Sequence, residues 1–337
     1  MAMEICSAGP LTTVQDMGRT GFAARGFQEN GACDKYAMRV ANLLAGNRAD
    51  PDRAAVLEFT LRGAVIRFHA DAVISLTGAD MSPAVNGTPV EPYHPVLIQK
   101  GETLQMGTAV RGLRGYLAVY GGISVPEVMG SRSTNLQCHI GGYEGRALRN
   151  GDLLPIGRSS FPARMYWRRV SKKLSGWGTG EEDIWLRGKA RPWRFLGGER
   201  IPLLRVVPGP QAEAFTEEGL RTFEEAVFMV TTDSNRMACK LDGPEIRTIH
   251  GSDILSDAIV EGSVQVSSNG KPIVMMADHQ TAGGYAKIGT VIRVDLPSMA
   301  QARPGDRVAF RFVEPEEGIE CCRKAARELE RLKERIK

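Results

Sequence analysis

Four glycine-rich segments carry the side chains of this sequence that are best suited to chemistry. They span residues 9–19, 130–146, 234–244 and 278–285. Glycine lets backbone N–H groups come close to a ligand, and Ser, Thr and Arg add donors that suit a carboxylate or a phosphate. The same residue types also form ordinary tight turns. Each segment therefore predicts either part of a binding site or a turn, and spacing alone favours the turn.

Asp278 and His279 are neighbours in the fourth segment and could supply acid–base chemistry, although such a pair also arises often by chance. No phosphate-binding loop of the G-x-x-x-x-G-K-[ST] type is present, and neither a dinucleotide fingerprint nor a G-x-S-x-G elbow occurs. The five histidines lack metal-ligand spacing, so no metal site is predicted. Energy-driven chemistry would therefore depend on a partner protein.

Composition and cysteine usage indicate an ordinary globular protein. The 337 residues suit about two domains, with 42% apolar and 24% charged residues. Six scattered cysteines without a C-x-x-C pair indicate reduced thiols. The sequence begins without a signal-peptide pattern, and no apolar run approaches ~18 residues. We therefore expect a cytoplasmic protein with no membrane partner.

The first β-rich unit is predicted over residues 1–157. Short β-branched runs bounded by Gly, Pro or Asn predict its strands, and Asn86-Gly87 predicts a hairpin turn. Apolar residues at helical spacing predict one helix over 33–46 that ends at Gly46. The predicted strands are 65–69, 72–76, 96–99 and 116–120.

A second β-rich unit is predicted over residues 201–313, with a short helical stretch at 211–224. Beyond it, the pattern over 319–337 predicts an amphipathic helix, because apolar residues recur every three or four positions among charges. That helix either packs on its own domain or mediates docking to a partner or self-association. The strands predicted for the second unit are 203–207, 227–230, 273–276, 291–294 and 308–312.

The segment between the two units, residues 158–200, is basic. It holds eleven Lys and Arg against four acids, together with all four tryptophans. Basic and aromatic residues together can bind nucleic acid or an anionic membrane surface. The rest of the chain has no excess of positive charge, so we favour an insertion whose tryptophans pack on the domains, and we predict no nucleic-acid partner.

Several of these motifs occur in an order that resembles the biotin-dependent carboxyltransferase-like family. The resemblance covers about residues 4–157 and 203–313. The matching segments are Gly-Pro-Leu-Thr-Thr-Val-Gln-Asp-x-Gly-Arg at 9–19, Gly-Ser-Arg-Ser-Thr at 130–134, Gly-Gly-x-x-Gly-Arg-x-Leu-x-x-Gly-Asp at 141–152, Asp-x-Gln-Thr-x-Gly-Gly-Tyr at 278–285 and Gln-x-x-Pro-Gly-Asp at 301–306.

The resemblance implies a mainly β fold with minor α structure, built from two cyclophilin-like β-barrel domains plus the C-terminal helix. Together with the predicted elements it divides the chain into four parts. These are the first barrel at 1–157, the basic insertion at 158–200, the second barrel at 201–313 and the helix at 314–337.

The function that the resemblance favours is that of the C-type subunit of an ATP-dependent 5-oxoprolinase complex, which opens 5-oxo-L-proline to L-glutamate. The partners it implies are a KipI-like B-type subunit and a LamB/YcsF-like A-type subunit, with ATP bound through the complex and no biotin expected in this chain. Two alternatives stay open. One is a subunit of a biotin-dependent carboxyltransferase of the urea carboxylase type, and the other is a non-enzymatic regulatory partner of a KipI-type protein.

The favoured function assigns a role to each candidate site residue. The small-molecule substrate carries a carboxylate and a lactam. Arg132 or Arg236 would hold the carboxylate, because a guanidinium matches its geometry, and Ser131 and Thr134 would donate beside it. The remaining candidates are Gln265, Gln280 and Thr281 for the lactam, Tyr285 as a further substrate-binding residue, and Asp278 and His279 for acid–base work.

Overall fold

The computed structural model describes residues 1–158, 161–174 and 192–337. These residues form two compact units. Unit one consists of residues 1–20, 30–158, 161–174 and 327–337, and unit two consists of residues 21–29 and 192–326. The domain boundaries predicted at residues 157, 200 and 313 stay predictions. Within the described residues, no helix combines the length and the apolar character that crossing a bilayer requires.

Unit one is built from two antiparallel sheets and two helices. Its strands are β1 Ala2–Ser7, β2 Leu11–Gln15, β3 Val56–Thr60, β4 Val65–Phe68, β5 Ala72–Asp80, β6 Ala84–Val85, β7 Thr88–Pro89, β8 Pro95–Ile98, β9 Thr103–Gln105, β10 Arg111–Val119 and β11 Leu153–Pro155, and its helices are α1 Lys35–Ala45 and α2 Ala163–Lys173. One sheet has the order β11-β1-β4-β9-β6-β7, and the other has the order β2-β3-β10-β5-β8. Side chains from both sheets, such as Ile5, Phe59 and Ile66, share one buried cluster.

Helix α1 shows why the local sequence folds as predicted. Asp34 caps its first turn, because the side chain accepts a hydrogen bond from the Ala37 N–H at 2.9 Å. Gly46 ends it in the left-handed conformation that glycine adopts without strain. Helix α2 lies in the basic segment and packs on unit one through buried Tyr166 and Val170. The segment's predicted packing through tryptophan holds for Trp167, which lies against the same cluster.

Trp193 on the first strand of unit two is exposed, whereas Trp177 and Trp185 lie outside the described residues.

Unit two is built around a seven-stranded barrel. Its elements are β12 Trp193–Leu196, β13 Glu199–Pro208, α3 Glu217–Glu225, β14 Val227–Val230, β15 Ala238–Asp242, β16 Asp253–Ala258, β17 Ser263–Val266, β18 Pro272–Met275, β19 Ala282–Tyr285, β20 Lys287–Val291, α4 Leu296–Gln301, β21 Arg307–Phe312 and the first part of α5 Pro315–Arg335, which ends in unit one.

The barrel strands follow the order β13-β20-β17-β18-β15-β14-β21, and a parallel pairing of β21 with β13 closes it. Strand β12 adds to β13, whereas β16 and β19 form a separate two-stranded ribbon. Phe223 of α3 stacks on Phe310 of β21 with ring centroids 4.4 Å apart, so this helix covers one side of the barrel.

The predicted fold class, mainly β with minor α structure and a C-terminal helix, is confirmed. Helix α1, the hairpin turn at Asn86-Gly87 and all the predicted strands except one are also confirmed. The strand predicted at 291–294 is wrong, because β20 ends at Val291 and the chain turns, with the Asp295 N–H bonded to the Ile292 carbonyl. The stretch at 211–224 is two pieces, a short 3₁₀ turn at Ala212–Ala214 and helix α3, which Thr216 caps.

Candidate functional site

The first two glycine-rich segments meet at the buried carboxylate of Asp16 in unit one. Asp16 follows β2, and its side chain accepts hydrogen bonds from Ser131 Oγ and from the Arg132 N–H, both at 2.6 Å. It also accepts from Ser133 Oγ and from the Gly18 N–H. Four donors on one carboxylate satisfy a charge that would otherwise be costly to bury. Asp16 therefore fixes the turn that carries Ser131 and Arg132.

Arg19 ties the same turn to a neighbouring loop. Its guanidinium is fully buried, donates to the Ser133 carbonyl at 2.6 Å and also donates to Asn30 Oδ1. Thr134 Oγ1 is buried too and donates to the Val14 carbonyl at 2.9 Å. A Cβ at Gly142 would collide with the Thr134 side chain, so only glycine fits where the loop passes. The motifs of unit one thus assemble into a packed hydrogen-bonded cluster.

Arg132 is the candidate in this cluster with substantial exposure. Its side chain is 29% exposed, and its guanidinium lies 2.9 Å from the Glu127 carboxylate and bonds the Val125 and Arg53 carbonyls. The hydroxyls of Ser131 and Thr134 are buried against their protein acceptors. Their predicted roles in substrate binding stay predictions, and the geometry gives each of them a structural contact.

Unit two brings Arg236 and Asp278 together in a bidentate ion pair. Nε of Arg236 lies 2.8 Å from one carboxylate oxygen of Asp278, and Nη2 lies 3.1 Å from the other. The side chains are 6% and 15% exposed. Such a pair is held strongly in place, because two parallel charge-assisted bonds fix both planes. Any acid–base or substrate-binding role of these residues would therefore operate from within this pair.

Gln28 is a residue near this pair that no sequence motif marks. It lies in the segment 21–29 of unit two, is buried, and donates through Nε2 to the Asp278 carbonyl at 2.7 Å. The contact joins residues that are 250 positions apart in the chain. No local pattern could have identified it, since a single glutamine outside any motif is typical of ordinary loops.

His279 is buried beside the ion pair, and its Nδ1 lies 2.7 Å from the Gln280 carbonyl. A carbonyl can only accept, so Nδ1 donates in this contact, and Nε2 is the ring nitrogen that takes no part in it. No described residue bonds Gln280 Oε1, which is shielded from solvent. Thr281 contributes its backbone carbonyl, which accepts from the Ile259 N–H at 3.1 Å.

Gln265 is buried on β17 and donates through Nε2 to the Tyr285 carbonyl at 3.2 Å. A Cβ at Gly283 would lie 2.9 Å from that nitrogen, so the ribbon strand β19 approaches this closely because glycine stands there. Of the ten predicted site residues, seven lie in unit two and three in unit one. The seven are Arg236, Gln265, Asp278, His279, Gln280, Thr281 and Tyr285.

Comparison with known proteins identifies relatives of this chain. A family model described as the carboxyltransferase domain, subdomain A and B, matches residues 25–312. The C subunit of the Escherichia coli 5-oxoprolinase is 36% identical over 334 residues, which cover 99% of this chain and 98% of that protein. The C subunit of the Haemophilus influenzae 5-oxoprolinase is 33% identical, with 96% of this chain and 94% of that protein covered.

Among solved structures, the urea carboxylase of Kluyveromyces lactis is similar in fold. The TM-score is 0.83 at 26% sequence identity, and the match covers 98% of this chain. It covers 29% of the urea carboxylase, so this chain spans less than a third of that protein.

Proposed function

Because this chain belongs to the carboxyltransferase family, we propose that it is the C-type subunit of an ATP-dependent 5-oxoprolinase complex. The reaction would add water across the lactam C–N bond of 5-oxo-L-proline and release L-glutamate, with ATP hydrolysis making the opening favourable. The observation that carries the proposal is the share of each protein's length that the match covers. The two bacterial 5-oxoprolinase C subunits match at least 96% of this chain and at least 94% of their own length, whereas the urea carboxylase match is confined to a part of a larger protein.

The complex would include a KipI-like B-type subunit and a LamB/YcsF-like A-type subunit. The sequence has no G-x-x-x-x-G-K-[ST] loop, since its two Gly-Lys pairs, at 188–189 and 270–271, are followed by Ala190 and Pro272. This supports an ATP site formed with those partners. No Met-Lys-Met carrier motif is present either, so biotin is not expected on this chain.

We place the substrate on unit two, where most of the predicted residues lie. The Arg236–Asp278 pair would form the wall of the site, and Gln265 and Gln280 would offer amide groups to the lactam. His279 would accept or donate a proton through Nε2, since Nδ1 is held by the Gln280 carbonyl. The bidentate Arg236–Asp278 pair supports this proposal, because it fixes the backbone that precedes His279.

The test is reconstitution. The chain is purified with its KipI-like and LamB/YcsF-like partners, and glutamate and ADP are measured after adding ATP and 5-oxo-L-proline. We expect glutamate only when all three proteins and ATP are present. Omitting each protein in turn is the control. A verified three-protein complex that forms no glutamate would contradict the proposal.

A second candidate is carboxyl transfer, which the fold of the urea carboxylase structure favours over almost the whole of this chain. Here the chain would be one component of a biotin-dependent carboxyltransferase that passes a carboxyl group from carboxybiotin to urea. The same purified complex, supplied with a biotin carboxylase, a biotinylated carrier, bicarbonate and urea, tests it. Urea-dependent loss of the carboxyl group from the carrier would support this candidate against the first.

A further inference from the structure

A buried lysine lies beside Gln265 on the barrel of unit two. Lys287 opens β20 and pairs in register with Gln265 on β17. Residues directly opposite in an antiparallel pair project from the same face of the sheet. The Lys287 side chain is 4% exposed, and Gln265 is buried as well. An ammonium group and a primary amide therefore share a protected face of the barrel.

Asp257 on ribbon strand β16 supplies the counter-charge. Lys287 Nζ lies 2.6 Å from Asp257 Oδ2, and within the described parts of the chain this is its one hydrogen-bond acceptor. An ammonium has three N–H donors, and a buried charge with unused donors is costly. Two donors of Lys287 are thus left for an acceptor from outside these residues.

The pair opens toward solvent on the Asp257 side. Asp257 is 48% exposed, and Gln211 donates to its carboxylate at 3.1 Å. Gln211 Oε1 also accepts from the backbone N–H of Lys287 at 3.3 Å. The hydrogen bond from Lys287 is the main reason that the pKa of Asp257 lies below its ordinary value. Asp257 is therefore a carboxylate that pairs with the buried ammonium while remaining partly hydrated, so moving it back into water costs little free energy.

We propose that Lys287 binds the carboxylate of the substrate, next to the Gln265 amide that would contact the lactam, and that Asp257 occupies the carboxylate position until the substrate replaces it. This rests on the proposed function, because the ligand is taken to be 5-oxo-L-proline. Arg132 and Arg236 were the guanidinium candidates for this role. They are held by Glu127 and by the largely buried Asp278, whereas Asp257 is half-exposed and more easily displaced.

The kinetic test uses the reconstituted complex with Lys287→Met and Asp257→Asn. Lys287→Met should raise KM for 5-oxo-L-proline about tenfold or more, since a charge-assisted contact is lost, with a smaller change in kcat. Asp257→Asn should lower KM, because the resident competitor is gone. A pair that only fastens the ribbon would move KM in the same direction in both variants, and that result would overturn the proposal.

A matched control is Lys271→Met, which breaks the more exposed Lys271–Asp242 pair of the same unit and should leave KM unchanged. Equilibrium dialysis of 5-oxo-L-proline and of its neutral carboxamide gives a second measurement on the complex. Lys287→Met should weaken binding of the acid and not of the amide. Wild-type complex that binds the acid without forming glutamate would contradict the proposed function alone. Unchanged acid binding by folded Lys287→Met would overturn the lysine site alone, and wild-type complex that binds no acid would overturn both.

Discussion

Ser131 donates a 2.6 Å hydrogen bond to the carboxylate of Asp16, which lies 115 residues earlier in the chain. The contact joins two glycine-rich segments, each of which the sequence predicted to be either part of a binding site or a turn. Because the Arg132 N–H bonds the same carboxylate, the acid sets the backbone of the turn as well as a side chain. These segments are polar and rich in glycine, which suggested ligand binding. The hydrogen bonds to Asp16 give a second explanation, because the same residues are needed to build the turns of unit one.

Replacing Asp16 by Asn should destabilise unit one. An amide has one acceptor oxygen and two donors, so at least one of the bound N–H or O–H groups would face a donor inside the protein. We expect a loss of about 2 kcal/mol in the free energy of unfolding, measured by urea denaturation. Glu144→Gln removes a well-exposed carboxylate of the same unit and should change stability by less than about 0.5 kcal/mol. Equal effects of the two substitutions would contradict the role of Asp16.

The Arg146–Asp152 pair gives a prediction with a defined pH range. Burial acts to raise the pKa of Asp152, but hydrogen bonds from the Arg146 guanidinium and the Arg149 N–H outweigh it and hold that pKa below its ordinary value. A carboxyl whose folded pKa is lowered stabilises the fold above its unfolded pKa of about 3.9, and the contribution is lost as pH falls through the folded pKa.

Arg146→Met should therefore cost about 1 to 2 kcal/mol at pH 7, and the difference from wild type should shrink toward pH 2. Urea unfolding at a series of pH values measures both quantities. If the cost were the same at pH 2 and pH 7, the loss would come from packing of the arginine and not from its charge.

The sequence was informative where structure depends on neighbours in the chain. Helix α1 was predictable because its cap at Asp34 and its end at Gly46 are local signals. The strand predicted at 291–294 failed because its apolar residues satisfy the β pattern, whereas Asp295 turns the chain and binds Arg205 at 2.7 Å. A contact to a residue 90 positions away leaves no local mark.

The sequence alone named the candidate site residues, which stay predictions, but it could not show which residues they contact. The segment 278–285 was identified from its motif, yet the sequence could not show that Asp278 is held by Arg236. Gln28 and Lys287 were missed for the same reason, because what distinguishes them is a distant hydrogen bond or a buried position. Burial and pairing of a single polar residue are properties of the fold and not of spacing.

Gln28→Leu should lower turnover of the reconstituted complex without unfolding it. The substitution keeps the size of the side chain and removes the hydrogen bond to the Asp278 carbonyl, so the segment before His279 gains freedom. We expect kcat to fall about three- to tenfold with a smaller change in KM, which corresponds to about 1 kcal/mol.

Glu29→Gln, one position further along the same segment, is the control and should leave kcat unchanged. A melting temperature equal to that of wild type would show that the loss is local. A decrease in kcat that is matched by the control would rule out a specific role of Gln28.

The end of α5 should stabilise the chain by packing on it. Leu332 and Ile336 are buried in the apolar cluster of unit one that contains Leu44 and Val170, and Arg48 donates to the Ile336 carbonyl at 3.2 Å. The apolar face that suggested self-association is thus covered, at these two positions, by the chain's own residues. Leu332→Ala should lower the free energy of unfolding by about 2 to 4 kcal/mol, because it leaves a cavity.

Ile319→Ala, at an exposed position on the same helix, is the matched control and should cost less than about 1 kcal/mol. Thermal melting measures stability, and light scattering measures the molar mass. If Leu332→Ala reduced the molar mass of an oligomer while leaving the melting temperature of the protomer unchanged, the residue would act in self-association and not in the core of unit one.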